Sequence, residues 1–143
     1  MEANRELLER YVELYNGGDL DACLKLYAED AVQRMHDGLF EGLEAIRERL
    51  ARDLTAFEDA KYVVESFVED GDTFADEWTF TGTNTGPFRL PDGSEVPATG
   101  GRVEIKGMEL VEVRDGKIVL DNLYYDFMAA LLQLGLVPEG APV

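Results

Sequence analysis

The spacing of apolar residues changes character near residue 58, and that change limits what the chain can become. Before it the spacing is helical. In NRELLERYVELYN (4–16), Leu7, Leu8, Tyr11, Leu14 and Tyr15 fall at helical intervals. Asn16-Gly17-Gly18 ends that helix. Asp19 can cap a second one carrying Leu20, Cys23, Leu24 and Tyr27. A short strand is expected over 31–36. Residues 42–57 then put Leu43, Ile46, Leu50, Leu54 and Phe57 on one stripe. Beyond 58 the pattern alternates instead. KYVVESFVE (61–69) and TFADEWTFTGT (73–83) flank a turn at Asp70-Gly71-Asp72. A Gly- and Pro-rich loop is expected over 86–101. RVEIKGMELVEV (102–113) and KIVLDNLYYD (117–126) meet across Arg114-Asp115-Gly116, a strong hairpin signal. A short helix over 127–135 precedes a Pro/Gly tail. Helices first and a meander of long strands afterwards predict an α+β fold, with helices on one face of a curved antiparallel sheet. Such a sheet wraps around the N-terminal helices into a cone with an internal pocket at its open end. The length suits one domain, 1–143.

Composition removes several classes of function. Thirteen Lys and Arg against thirty Asp and Glu leave a net charge of −17. Nucleic acid and anionic membrane both need a basic footprint, so neither is an expected partner. No run of 18 apolar residues is long enough to span a bilayer. MEANRELLER has no apolar signal core, so a cytoplasmic location is expected. One cysteine, Cys23, excludes an internal disulfide and reads as a buried thiol in a helical stripe. One histidine, His36, excludes a multi-histidine metal site, and no metal or cofactor is expected.

The middle of KIVLDNLYYD is apolar on both faces, so that strand should be covered on both sides. Asp121 nevertheless sits between Val119 and Leu123 on one of them. A buried carboxylate is costly unless something pairs with it or uses it. Glu109 shares its face with Ile105, Val111 and Val113. If both faces are concave, two carboxyls enter one apolar cavity. Desolvation and repulsion then raise at least one pKa and leave an acid beside a base near neutral pH. Trp78 and Phe80, on one face with Phe74 and a second anomalous acid, Asp76, can line a pocket for a flat ligand. Leu123 and Tyr125 extend that lining. His36 can orient an acid or lie on the rim. Asn122, Tyr124 and Tyr125 could offer hydrogen bonds to a ligand.

Several stretches together resemble a known family. ERYVELYNGGDLDACLKLYAEDAV (9–32) looks like the opening of the nuclear-transport-factor-2-like cone fold. EGLEAIRERL, WTFTGTNTGPF, PATGGRVEIKGMEL, VRDGKIV and YYDFMAALLQLGLVP, in that order, resemble the SnoaL-like polyketide cyclases. The resemblance implies cofactor-free aldol ring closure, with an acidic side chain in an apolar cone as general acid/base. It places that group at Asp121. By similarity to ketosteroid isomerase, Tyr11 and Glu109 stand where a tyrosine and a protonated acid form an oxyanion hole. Met35 falls at the position of that enzyme's base. Lys106 and Leu120 stand where cyclase-like sequences often carry a histidine and an acid.

The expected ligand is therefore a small apolar carbonyl compound held near Met35, His36, Trp78, Phe80, Leu123 and Tyr125. Asp121, Glu109 and Tyr11 are the expected catalytic groups. Two alternatives are a limonene-type epoxide hydrolase, with Arg34 supplying its arginine, and a non-catalytic binding domain. A pocket filled by Met35, Met108 and Trp78 would favour the latter. Apolar residues on both faces of 117–126 predict a homodimer through the outer sheet face.

Overall fold

A computed structural model of the chain describes residues 2–137. The Pro/Gly tail, from residue 138 on, lies outside the described residues. The element order is α1 (Glu2–Asn16), α2 (Leu20–Leu24), β1 (Tyr27–Met35), β2 (Gly38–Glu41) and α3 (Leu43–Ala56). Then follow β3 (Lys61–Asp70), β4 (Thr73–Thr83), the two-residue strands β5 (Phe88–Arg89) and β6 (Glu95–Val96), β7 (Arg102–Arg114), β8 (Lys117–Tyr125) and α4 (Phe127–Gln133). Six strands form one sheet in the order β2-β1-β8-β7-β4-β3. Every pair is antiparallel except β1 with β8, which runs parallel. The curved sheet closes on the helices, and the core lies between its inner face and the apolar stripes of α1 and α3. No helix among the described residues is long and apolar enough to cross a membrane.

Local chemistry explains most of these boundaries. Asp19 caps α2 by accepting from the Ala22 N–H at 3.1 Å. Asp126 caps α4 by accepting from the Ala129 N–H at 3.0 Å. The β7–β8 turn has Asp115 at φ 52° and Gly116 at φ 75°, two left-handed residues in succession, as a tight hairpin with right-handed strand twist requires. Tyr27 is a correction to the helical stripe: α2 stops at Leu24, and Tyr27 starts β1, which pairs Tyr27 with Ile118. The strand expected over 31–36 therefore starts earlier and runs from Tyr27 to Met35, and Gly38–Glu41 adds an edge strand beside it.

One irregularity sets the inner face of β8. Register passes from Val113↔Ile118 to Glu112↔Leu120, leaving Val119 as the extra residue of a β-bulge. The bulge reverses side-chain parity. Ile118, and not Val119, is the buried residue ahead of Asp121, Leu123 and Tyr125. The 86–101 loop is anchored by buried Asn84. Its amide donates to the Ala56 and Gly86 carbonyls at 3.1 and 2.9 Å and accepts from the Thr99 N–H at 2.8 Å. That anchor holds Phe88 over the open end of the cone, against Phe57 and Phe127.

Candidate functional site

Inside the cone two adjoining compartments share Arg49, Tyr62 and Trp78 as walls. The outer one is aromatic, with Phe57, Phe80, Phe88, Tyr125 and Phe127 around it. The inner one is closed by Tyr11, Leu8 and Leu123 and holds Asp76, Glu109, Asp121 and Gln33. The three carboxyls and the amide form a row across four neighbouring strands. Asp76 on β4 is the register partner of Glu109 on β7. Asp121 on β8 is the register partner of Gln33 on β1 and pairs with Val111, two residues from Glu109 on the same face.

Burial is severe here. Asp76 is 2% exposed, Asp121 4% and Gln33 1%, while Glu109 is half-buried. Gln33 Nε2 donates to Asp121 Oδ2 at 3.0 Å. Asp121 Oδ1, both oxygens of Asp76 and Gln33 Oε1 have no hydrogen-bond partner. Unbonded buried polar atoms are rare in folded proteins and want a reason. Desolvation raises all three carboxyl pKa values. Asp76 is pushed up to about 6 by burial, with the neighbouring Glu109 carboxyl pulling the other way. Asp121 is also raised by burial, while contacts with Glu109 and Gln33 and the charge of Arg49 pull it back. Glu109 is raised well above the ordinary range, first by burial, then by the charges of Asp121 and Asp76.

The buried cation is Arg49, 3% exposed, on α3. Its Nη1 donates to Asp53 Oδ2 at 2.7 Å and its Nε to Met35 Sδ at 3.0 Å. The Tyr15 hydroxyl donates to the same Asp53 oxygen at 3.1 Å, which fixes the carboxylate that pairs with the guanidinium. Burial acts against its charge, but Asp53 and the neighbouring tyrosines outweigh it and raise the Arg49 pKa.

The residues singled out in the sequence fall into two sets. Asp121, Glu109, Tyr11 and Leu123 meet at the inner compartment. Trp78 stands at its junction with the outer one, where Phe80 and Tyr125 lie. Met35 and His36 line a cleft at the mouth together with Arg49 and Tyr125. His36 is exposed there, stacked on Phe127 at 4.3 Å, and burial against these rings lowers its pKa. Four expectations need correction. Arg34 is exposed and alternates with buried Gln33, so it points away from the cavity. Met108 and Tyr124 are exposed and face outward, because inward positions on β7 and β8 belong to Glu109, Leu123 and Tyr125. Asn122 is likewise on the outer face, between inward Asp121 and Leu123. Among the described residues no set of three or more His, Cys, Asp or Glu side chains has the placement a metal ion needs.

Sequence reasoning missed Arg49, Asp53 and Gln33. Arg49 had a signal: it lies three residues after Ile46 and four before Asp53, on the apolar stripe of α3, where a charge has no reason to be unless paired. Gln33 had none beyond its alternation with Arg34.

Comparison with known proteins agrees with this architecture. The family model described as SnoaL-like polyketide cyclase matches residues 5–134. No curated protein matches the chain. Among solved structures, a protein from Jannaschia sp. CCS1 described as a SnoaL-like polyketide cyclase superposes with TM-score 0.83 at 24% identity, over 95% of this chain and 94% of that one. AclR from Streptomyces galilaeus, described as a hydroxylase, gives 0.81 at 27% identity over 94% and 86%. IdmH from Streptomyces antibioticus, described as a polyketide cyclase, gives 0.77 at 26% identity over 92% and 97%.

Proposed function

The chain belongs to the SnoaL-like polyketide cyclase family, and from that premise we propose that it enolises or cyclises a flat, largely apolar carbonyl compound by general acid–base catalysis. The observation that carries this reading is the row of buried carboxyls at the closed end of an aromatic cleft, with oxygens left without partners. The aromatic walls of Trp78, Phe80 and Tyr125 suit a planar ligand and exclude water from the inner compartment.

Asp121 is the base. Its carboxylate takes a proton from the carbon beside a carbonyl, and the C–H electron pair moves into the forming enolate. Glu109, protonated, turns its one hydroxyl from its carboxylate neighbours to the enolate oxygen when the ligand is bound. Tyr11 offers a second hydroxyl, and Arg49 a fixed positive charge that favours the developing negative one. The enolate carbon then attacks a second carbonyl carbon of the same ligand. The electron pair of that carbonyl moves onto its oxygen, which takes back the proton that Asp121 removed. Atoms and protons balance, and Asp121 ends as it began. Such proton transfers contribute typically about 10²–10⁴-fold to rate.

An enolate is mimicked by a phenolate of flat shape. β-Naphthol should bind in the cone with its oxygen at Glu109 and Tyr11, and its fluorescence reports whether it is ionised. Glu109→Gln should weaken binding of the phenolate form about tenfold or more. Failure of the wild type to bind any planar phenol would refute the reading. A second reading rests on Arg49, which pairs with Asp53 and whose charge also acts on Asp121, the residue types of a water-activating relay as in limonene-type epoxide hydrolases. Incorporation of labelled water oxygen into an opened epoxide, with no enolisation of ketones, would favour it.

A further inference from the structure

The reaction above gives work to two of the three buried carboxyls and none to Asp76. Yet Asp76 is the most buried of the named acids, and neither of its oxygens is hydrogen-bonded to a protein N–H or hydroxyl. It stands opposite Glu109 across the β4–β7 ladder. We propose that Asp76 is a positioning residue that holds Glu109 in its acid form, with one proton kept on Glu109 between two carboxylates, Asp76 on one side and Asp121 on the other.

The order of the row supports this arrangement, which rests on the acid–base reading of the site. Three carboxyls in one apolar compartment cannot all ionise at moderate pH, because each charge disfavours the next. The proton stays where two anions are nearest. Glu109 occupies the middle of the row, with Asp76 and Asp121 on either side. Asp121 has outside help as an anion, from the Gln33 amide at 3.0 Å and from the charge of Arg49. Asp76 has no such donor, so the Glu109 hydroxyl is the one group in the row able to satisfy it. The other groups that face this row do not compete. Tyr11 on α1, Tyr27 on β1 and Tyr62 on β3 all have raised pKa values and stay neutral. Arg49 on α3 is committed to Asp53. Burial pushes Asp76 itself up to about 6, while burial and the charges of Asp121 and Asp76 raise Glu109 well above the ordinary glutamate range.

The consequence concerns the acid and not the base. Replacing Asp76 by Asn removes one of the two charges that keep the proton on Glu109, so Glu109 should ionise at lower pH. The test needs no substrate. Protein with isotope-labelled Asp and Glu carboxyl carbons is titrated by NMR from roughly pH 4 to 10, a range that spans ordinary and raised carboxyls. The Glu109 signal is identified by its loss in Glu109→Gln. In wild type it should titrate well above the ordinary glutamate range. In Asp76→Asn its midpoint should fall by about one pH unit or more. Should Asp76→Asn not fold, Asp76→Ser makes the same neutral replacement with a smaller side chain. A Glu109 midpoint unchanged by loss of the Asp76 charge would overturn the proposal, and so would a wild-type Glu109 that titrates like an exposed glutamate. If Glu109 behaves as stated while no carbonyl compound is ever enolised, the proton's placement stands and the catalytic reading is what fails.

Discussion

Replacing Asp121 by Asn should keep the fold, raise stability at neutral pH and abolish turnover. Asp121 Oδ2 accepts one hydrogen bond, from Gln33 Nε2, and its Oδ1 accepts none. Gln33 Oε1 also lacks a donor. An asparagine of the same shape keeps the Gln33 N–H on its oxygen and turns its own N–H₂ toward the empty Gln33 oxygen. A newly satisfied pair of this kind is worth about 1 kcal/mol. Charge adds to it with the same sign. Burial raises the Asp121 pKa, more than Glu109, Gln33 and Arg49 lower it. A raised folded pKa means stability that is fully present below the ordinary aspartate value of about 3.9 and is lost as pH climbs through the folded one. Each pKa unit between the two is worth about 1.4 kcal/mol. At neutral pH the wild type has lost that contribution and the variant never had it to lose. For a chain of this length 1 kcal/mol moves the melting temperature by about 2–4 °C. The variant should therefore melt at least about 2 °C higher at pH 7, with the gap closing on acidification toward about pH 4. Circular-dichroism melts across that range on both proteins make the measurement. A variant that melts several degrees lower at pH 7 would refute the reasoning and make Asp121 a structural acceptor or an ion-pair partner of Arg49.

Other consequences can be measured on the same material. Asp76, raised to about 6 by burial, should give wild-type stability that declines as pH rises from about 4 to about 6, by on the order of 3 kcal/mol; denaturant midpoints against pH check it, and Asp76→Asn should flatten the decline. Arg49→Met leaves Asp53 without its cation and should cost about 3 kcal/mol, with Arg49→Lys a poor rescue because one amine cannot reproduce contacts made by Nη1 and Nε. Gly107→Ala would put a Cβ 2.5 Å from the Trp78 ring and 2.7 Å from Tyr125 Cβ; it should lose about 1–3 kcal/mol by overpacking and weaken β-naphthol binding as Trp78 is pushed into the cleft. On the outer face, Met108 and Tyr124 are register partners, and Tyr124 is 62% exposed. We propose that this face joins two copies of the chain, so sedimentation should report a dimer that Tyr124→Glu dissociates, and a wild-type monomer at micromolar concentration would contradict it.

The helices and long strands were legible because their apolar spacing is regular over ten residues or more. Asp121 stood out in the sequence for the same reason, as a break in a regular pattern. What was not legible depends on long-range register. The parity of β8 ahead of Asp121 turns on a bulge at Val119 that alternation alone cannot reveal. Gln33 meets Asp121 only because β1 runs parallel to β8, a pairing between residues 88 apart in sequence. Arg49, and not Arg34, is the buried arginine, and only its position on the α3 stripe marks it as such in the sequence. The loop 86–101 read as irregular because its order comes from Asn84 and from α3, not from its own sequence.

The central claim is that Asp121 removes a proton from carbon within the cone. Exchange of the protons beside the carbonyl of β-tetralone, a flat ketone, can be followed by NMR in heavy water with catalytic amounts of protein. Wild type should accelerate that exchange above buffer, and Asp121→Asn, folded and at least as stable, should reduce the acceleration by about 10²-fold or more. Equal exchange with wild type and Asp121→Asn would contradict the account, since the carboxylate would then take no part in breaking the C–H bond.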